Sequence, residues 1–326
     1  MPTGNQIMRL KLLILSLILI LCLSCLSSLP KVVIPKADII YQVVSDSNEN
    51  DHLSPQVGFI NADGTGKTTI TFSENNLIRP FMSKSMDGIY YFSPYGPFIF
   101  ASGLGINVLS SKGTYNTCHT LEGDYGYNGF VLPVSFQGQR DLLISTPLRI
   151  EIVNYDSGKC NVIKTVTQVS DPRVDIINST SPANTRELII YDQQVFSAPS
   201  ESVDVIKTLD LQTGEEHKIL EGGWHSTFSP DDQKIAYISF DGVYVANAVG
   251  TEPRHLVSLP IPGPLAAGVI VKSPYPFWSP DGKWLVYHKC VDDCQSPLDY
   301  AIYKVNVDSG VEQKITDMGL YPVWIR

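Results

Sequence analysis

Charge is scarce in this sequence. Only 17% of its 326 residues are Asp, Glu, Lys or Arg, and 33 anions against 24 cations leave a formal net charge of −9. No basic cluster offsets that balance. An acidic surface repels phosphate backbones, which excludes nucleic acid as a partner. Long apolar runs are also missing. The one candidate, residues 12–23, is broken by Ser16 and is shorter than the roughly 20 apolar residues of a spanning helix.

Signatures of catalysis and of metal binding are equally thin. There is no Gly-x-Ser-x-Gly elbow, since Gly222-Gly223-Trp224-His225-Ser226 lacks the closing Gly. His52, His119, His217, His225, His255 and His288 show no metalloprotease spacing. Gly64-Thr65-Gly66-Lys67-Thr68 has the tail of a phosphate-binding loop, but Asn61 stands where its first Gly belongs. The strand pattern Thr68-Thr69-Ile70-Thr71-Phe72 follows in place of the helix that would gather N–H groups on phosphate. It reads as a hairpin turn, and no cofactor is implied.

What is present points to strands. Apolar residues make up 43%, enough for a large core, and Gly (24) and Pro (22) are frequent. That mix suits many short strands joined by tight turns, and the length fits two average domains or one large all-β domain. The N-terminus stands apart: Arg9 and Lys11 precede the apolar run, and small residues follow it, the layout of a secretory signal. An uncleaved anchor, extended through Leu26 and Leu29, is the alternative. Leu21-Cys22-Leu23-Ser24-Cys25 resembles the bacterial lipobox, with Cys22 where Leu is usual. That resemblance implies acylation of Cys25, and two or three acyl chains anchor durably. Residues 1–24 are thus expected to be a signal, 25–37 a tether, and 38–326 the folded domain.

The folded part repeats with a period near fifty. Pro276-Phe277-Trp278-Ser279-Pro280-Asp281-Gly282-Lys283 runs into the strand Trp284-Leu285-Val286-Tyr287. Fifty residues earlier, Thr227-Phe228-Ser229-Pro230-Asp231-Asp232-Gln233-Lys234 runs into Ile235-Ala236-Tyr237-Ile238. Fainter copies place turns at Gly88 (after Asp87), Gly138 and Asn184, so successive turns are 50, 46, 48 and 50 residues apart. Pro sets φ for each turn and Gly or Asn tolerates the left-handed position. Four strand-like runs fit in each period, as in a propeller blade. At the C-terminus Tyr321-Pro322-Val323-Trp324 repeats the first strand of a unit and the chain stops at Arg326. Its three companions are expected at residues 39–44, 56–61 and 68–72, so that Trp324 closes the last blade and leaves no open edge. The expected fold is an all-β, six-bladed β-propeller of four-stranded blades.

These residues resemble the TolB-type (WD40-like) propeller repeat, with its strand, Trp-Ser-Pro-Asp-Gly-Lys turn, second strand and later Asn-Ala-Asp-Gly, here Asn61-Ala62-Asp63-Gly64. The resemblance implies the fold more than an activity. The small α/β domain that precedes the propeller in TolB has no counterpart between Cys25 and the first strand.

Candidate sites follow from position. Cys290 and Cys294 share one inter-strand loop and are the expected disulfide pair; Cys118 and Cys160 are the weaker candidates, near the last strands of neighbouring blades, where the separation can exceed the reach of a disulfide. His288, Asp292 and Asp293 beside those cysteines could ligate metal, but no second ligand pair accompanies them. Asp87, Asp231, Asp281 and Asp308 read as turn carboxylates, and Trp278, Trp284, Trp324, Phe228 and Tyr287 as inter-blade packing. Longer inserts at residues 45–55, 193–203, 259–269 and 290–297 are candidate contact loops. The function expected is non-enzymatic binding or scaffolding at the bacterial cell envelope. A protein or peptide is the first partner and polysaccharide the second. The alternative is a propeller-class enzyme, a lyase or glycosidase acting on extracellular polysaccharide.

Overall fold

The computed structural model describes residues 35–43, 56–71, 81–82, 88–95, 103–110, 115–119, 130–137, 139–145, 149–156, 159–168, 175–198, 201–259, 274–294 and 296–325. Among them the only helical element is a single 3-10 turn, Pro297–Asp299. The rest is strand and tight turn.

β1 (Ile39–Val43), β2 (Gln56–Ile60) and β3 (Thr68–Thr71) open the chain. A second sheet follows in β4 (Phe81–Met82), β5 (Gly88–Tyr95), β6 (Gly103–Ser110) and β7 (Tyr115–His119), and a third in β8 (Phe130–Phe136), β9 (Gln139–Ser145), β10 (Arg149–Asp156) and β11 (Lys159–Gln168). The fourth is β12 (Asp175–Pro182), β13 (Leu188–Ala198), β14 (Glu201–Asp210) and β15 (Glu216–Glu221). The fifth is β16 (Trp224–Phe228), β17 (Lys234–Ser239), β18 (Gly242–Asn247) and β19 (Arg254–Ser258). The sixth is β20 (Phe277–Trp278), β21 (Trp284–Cys290), β22 (Tyr300–Asn306) and β23 (Glu312–Asp317), after which β24 (Gly319–Trp324) ends the chain. Each group of four is an antiparallel meander, and β24 completes the first sheet in the order β24-β1-β2-β3. Ile39 lies opposite Trp324, and Ile40 opposite Val323. Ile325 N–H adds a bond to the Asp38 carbonyl (2.8 Å).

The repeated turn is built by its own side chains. Ser229 Oγ donates to Asp231 Oδ1 (2.6 Å) and accepts from Lys234 N–H (2.9 Å). Ser279 repeats this with Asp281 (2.6 Å) and Trp284 N–H (2.9 Å). The serine hydroxyl, first among the causes, holds both aspartates below the usual carboxylate range. The next residue takes positive φ, 56° at Asp232 and 70° at Gly282. Asp231 and Asp281 are therefore turn-makers.

Packing repeats too. The second strand of four sheets carries a buried tyrosine at the same place: Tyr41, Tyr191, Tyr237 and Tyr287. Gly58 lies under the Tyr41 ring, where a Cβ would collide with it. Among the described residues each apolar cluster spans two sheets; one joins Ala236, Ile238 and Val243 to Trp278, Leu285 and Val305. Another joins Ile39, Tyr41 and Ile60 to Val286 and Ile302 across the chain ends. Successive sheets touch through β1 and β4, β5 and β8, β8 and β12, β12 and β16, and β16 and β20; β20 then touches β24. First strands make most of these contacts, so they face a common centre.

Candidate functional site

A meander sorts its connections between two ends. The turns after first and third strands lie at one end; those after second and fourth strands lie at the other. The inserts at 45–55, 193–203 and 290–297 all join a second strand to a third, and 259–269 joins a fourth strand to the next first strand. All four therefore belong to the same end. Sequence order alone does not reveal this, because it requires knowing which strand each insert follows. Segments 45–55 and 260–269 lie outside the described residues. The stretch 193–203, expected as a loop, is instead a paired hairpin: β13 and β14 continue their ladder from Gln193 opposite Val205 out to Ala198 opposite Glu201. Its β-branched and aromatic residues Val195, Phe196, Val203 and Val205 favour strand, and only 199–200 remain for the tip.

Buried polar groups sit at this end of the first strands. Asp192 on β13 accepts from His225 N–H on β16 (2.9 Å), and His225 takes φ of 53° to present it. His225 Nδ1 lies 2.8 Å from the Pro274 carbonyl, so that nitrogen carries the proton and donates. The His225 ring stacks on Tyr275 at 4.3 Å. One sheet further, Tyr321 N–H donates to His288 Nδ1 (3.3 Å), again with positive φ, 50°, at the donor. The two histidines thus hold opposite tautomers. Burial pushes the Asp192 carboxyl well above the usual carboxylate range; His225 and Ser226 N–H groups oppose the rise and Asp204 adds to it. In this geometry the imidazoles and the carboxylate serve backbone groups of the adjoining sheet, as inter-sheet ties. Thr227 Oγ1, donating to the Pro276 carbonyl (2.8 Å), and Trp278 Nε1, donating to the Thr227 carbonyl (3.2 Å), extend them.

The 290–297 insert is pinned. Cys290 and Cys294 are disulfide-bonded with Cα atoms 5.6 Å apart. They pack with Tyr300, Leu320 and Tyr321, so the loop rests on the closing strand. Around it Val291 and Met318 are exposed, and on the next sheet Phe240 is 75% exposed. Trp224 meets Phe240 edge-on, centroids 5.5 Å apart at 78°.

Among the other sequence-derived positions, Trp324 closes the first sheet, Gly88 begins β5, and Asp231, Asp281 and Gly282 form turns. Cys25 and Asp87 lie outside the described residues. Cys118 is on β7 and Cys160 on β11, outer strands of neighbouring sheets whose backbones touch. Among the described residues no group of three or more His, Cys, Asp or Glu is placed to hold a metal ion. Asp192 and His225 were missed in the sequence. The available signal was spacing: His225 precedes Ser229 by four residues, as Tyr275 precedes Ser279.

No protein-family model matches the sequence, and neither does any curated protein. Solved structures do match. TolB from Acinetobacter baumannii aligns with a TM-score of 0.58 at 14% identity, over 88% of this chain and 66% of TolB, so the chain spans just under two thirds of that structure. A chain of the nidogen/laminin complex aligns with a TM-score of 0.55 at 11% identity, over 88% of this chain and 97% of that one. A putative 6-phosphogluconolactonase from Bacteroides uniformis gives 0.52 at 13%, over 88% and 99%. At such identities the likeness speaks for architecture alone. With its antiparallel four-stranded sheets in cyclic contact, the chain is an all-β protein of the β-propeller fold, the fold it shares with TolB.

Proposed function

We propose that this is a six-bladed propeller acting as a non-enzymatic binding or scaffold protein at the bacterial cell envelope, which docks a protein or peptide at its insert-bearing end. One observation carries the reading: all four long inserts fall on connections at that end. Contact surfaces concentrate on loops held by a rigid scaffold, and here a disulfide and an extended hairpin stiffen two of the four. Export is read from the signal-like N-terminus, and anchoring from acylation of Cys25, facing periplasm or cell exterior. The enzyme alternative, a lyase or glycosidase, rests on the propeller fold, which accommodates either role.

The test places a photo-crosslinking residue at position 240 or 291, and at 249 or 311 in the turns of the opposite end, in the native host. A discrete protein adduct from 240 and 291 but not from 249 and 311 is expected. Adducts confined to 249 and 311 would overturn the assignment of the docking end.

A second disulfide between Cys118 and Cys160 is part of this proposal, because their strands meet at the rim of the second and third sheets. In an oxidising compartment the two thiols lose two protons and two electrons to a disulfide oxidant. Non-reducing peptide mapping is expected to recover the 118–160 cross-linked pair. Alkylation of both cysteines in unreduced, denatured protein would remove it.

A further inference from the structure

We infer that the insert-bearing end takes a basic segment of a protein partner, seated on Phe240. This rests on the docking reading above and names the chemistry of what docks.

Phe240 is the most exposed of the large apolar side chains described, and it occupies a turn of only residues 240 and 241 between β17 and β18. A mobile loop does not carry it. Ser239 opposite Gly242 closes the ladder beneath, and Trp224, at the start of β16, braces the ring edge-on. Ser239 Oγ ties the turn to the Gly222 carbonyl (2.9 Å). One aromatic face is thus held out toward solvent on rigid strand ends.

Its neighbour is a carboxylate. Asp241 is fixed by the Tyr244 hydroxyl, which donates to Oδ1 at 3.0 Å. A rigidly held, exposed aromatic ring on an end whose described connections are acidic suits a guanidinium or ammonium group, which gains from contact with the ring and from the surrounding field. The wider field agrees. Every charged side chain described in the connections at this end is acidic: Asp241, Asp292, Asp293 and Asp299. Glu221 and Asp317, at the adjoining strand ends, are bridged by Lys218 and Lys314. The opposite end mixes signs, with Lys67, Arg186 and Lys283 among its aspartates and glutamates. A net charge of −9 steers cations to the molecule, and this asymmetry steers them to one end.

The experiment uses the full chain purified in detergent, with fluorescein-labelled nona-arginine as probe and nona-glutamate as control, read by anisotropy at physiological salt. Nona-arginine is expected to bind saturably and nona-glutamate not to bind. Phe240→Ala, an exposed position whose loss leaves the melting temperature unchanged, is expected to weaken binding about tenfold. Asp241→Asn should weaken it about threefold and flatten its salt dependence, while Val249→Ala at the opposite end changes nothing. Failure of Phe240→Ala and Asp241→Asn to weaken binding, or equal loss in Val249→Ala, would overturn the assignment. The two readings fail separately. Photo-adducts from 240 and 291 without nona-arginine binding keep the docking end and remove the basic ligand. Phe240-dependent peptide binding without adducts at either end keeps the basic site and removes the envelope partner.

Discussion

Deleting residues 319–326 is expected to leave the chain without a cooperative fold. The deletion removes β24, whose first four residues are all buried, and strips the partner from one edge of β1. Leu320 and Tyr321 are lost from the cluster around the 290–294 disulfide, and Trp324 from the cluster around Tyr41 and Ile60. Each large side chain returned to water costs about 1.5–3 kcal/mol. Three of them, together with the lost ladder, rival the roughly 5–15 kcal/mol that holds a whole domain together. The damage also falls at the seam, because β24 is the strand that carries the chain from the sixth sheet into the first. The expected result is a chain that aggregates or refolds only when a synthetic peptide of residues 319–326 is supplied in trans. A truncated chain that melts as sharply and as high as the full one would show that β24 is dispensable.

Asp232→Ala is expected to destabilise by about 2–4 kcal/mol, a large effect for a turn residue. Asp232 follows the repeated Ser-Pro-Asp and is buried, unlike most turn carboxylates. It reaches across to the corresponding turn of the fourth sheet. There it accepts from Asn184 N–H (2.7 Å), Thr185 N–H (2.7 Å) and the Thr185 hydroxyl (2.5 Å). Arg186 completes the clasp, with Nε 4.0 Å from the carboxylate and a bond to the Asp232 carbonyl (3.1 Å). Without the carboxylate, buried donors of the fourth sheet lose their acceptor. Burial alone would raise this carboxyl, but those donors outweigh it and hold it below the ordinary value. The sign follows. A carboxyl lowered in the fold stabilises above the unfolded value, near 3.9, and that stability fades as pH falls through the lowered one. Acid unfolding curves of wild type should therefore approach those of Asp232→Ala below about pH 4, while the two stay apart at neutral pH. A constant gap across that range would mean that the carboxylate charge contributes nothing.

The turns were legible because their constraints are local. Ser, Pro, Asp and a residue tolerant of positive φ are needed within four positions, and two copies fifty residues apart expose the period. The closing strand was legible for the same reason, since Tyr321-Pro322-Val323-Trp324 copies Tyr275-Pro276-Phe277-Trp278. The inter-sheet ties were not. Asp192 and His225 lie 33 residues apart on different sheets and carry no shared motif, as do His288 and Tyr321. Their side chains answer a backbone bend in a neighbouring sheet, which exists only once the sheets stand side by side. The hairpin at 193–203 was obscured by its own composition. Gln193, Gln194, Ser197, Pro199 and Ser200 look like loop, while the cross-strand partners that make it a ladder sit on the other arm.

Closure can be watched directly by hydrogen exchange. Amides of residues 39–43 and 319–324 are expected to exchange together, at the slow rate set by global unfolding, because each strand protects the other. Rapid exchange of 319–324 while 39–43 stays protected would mean that the last strand does not close the ring.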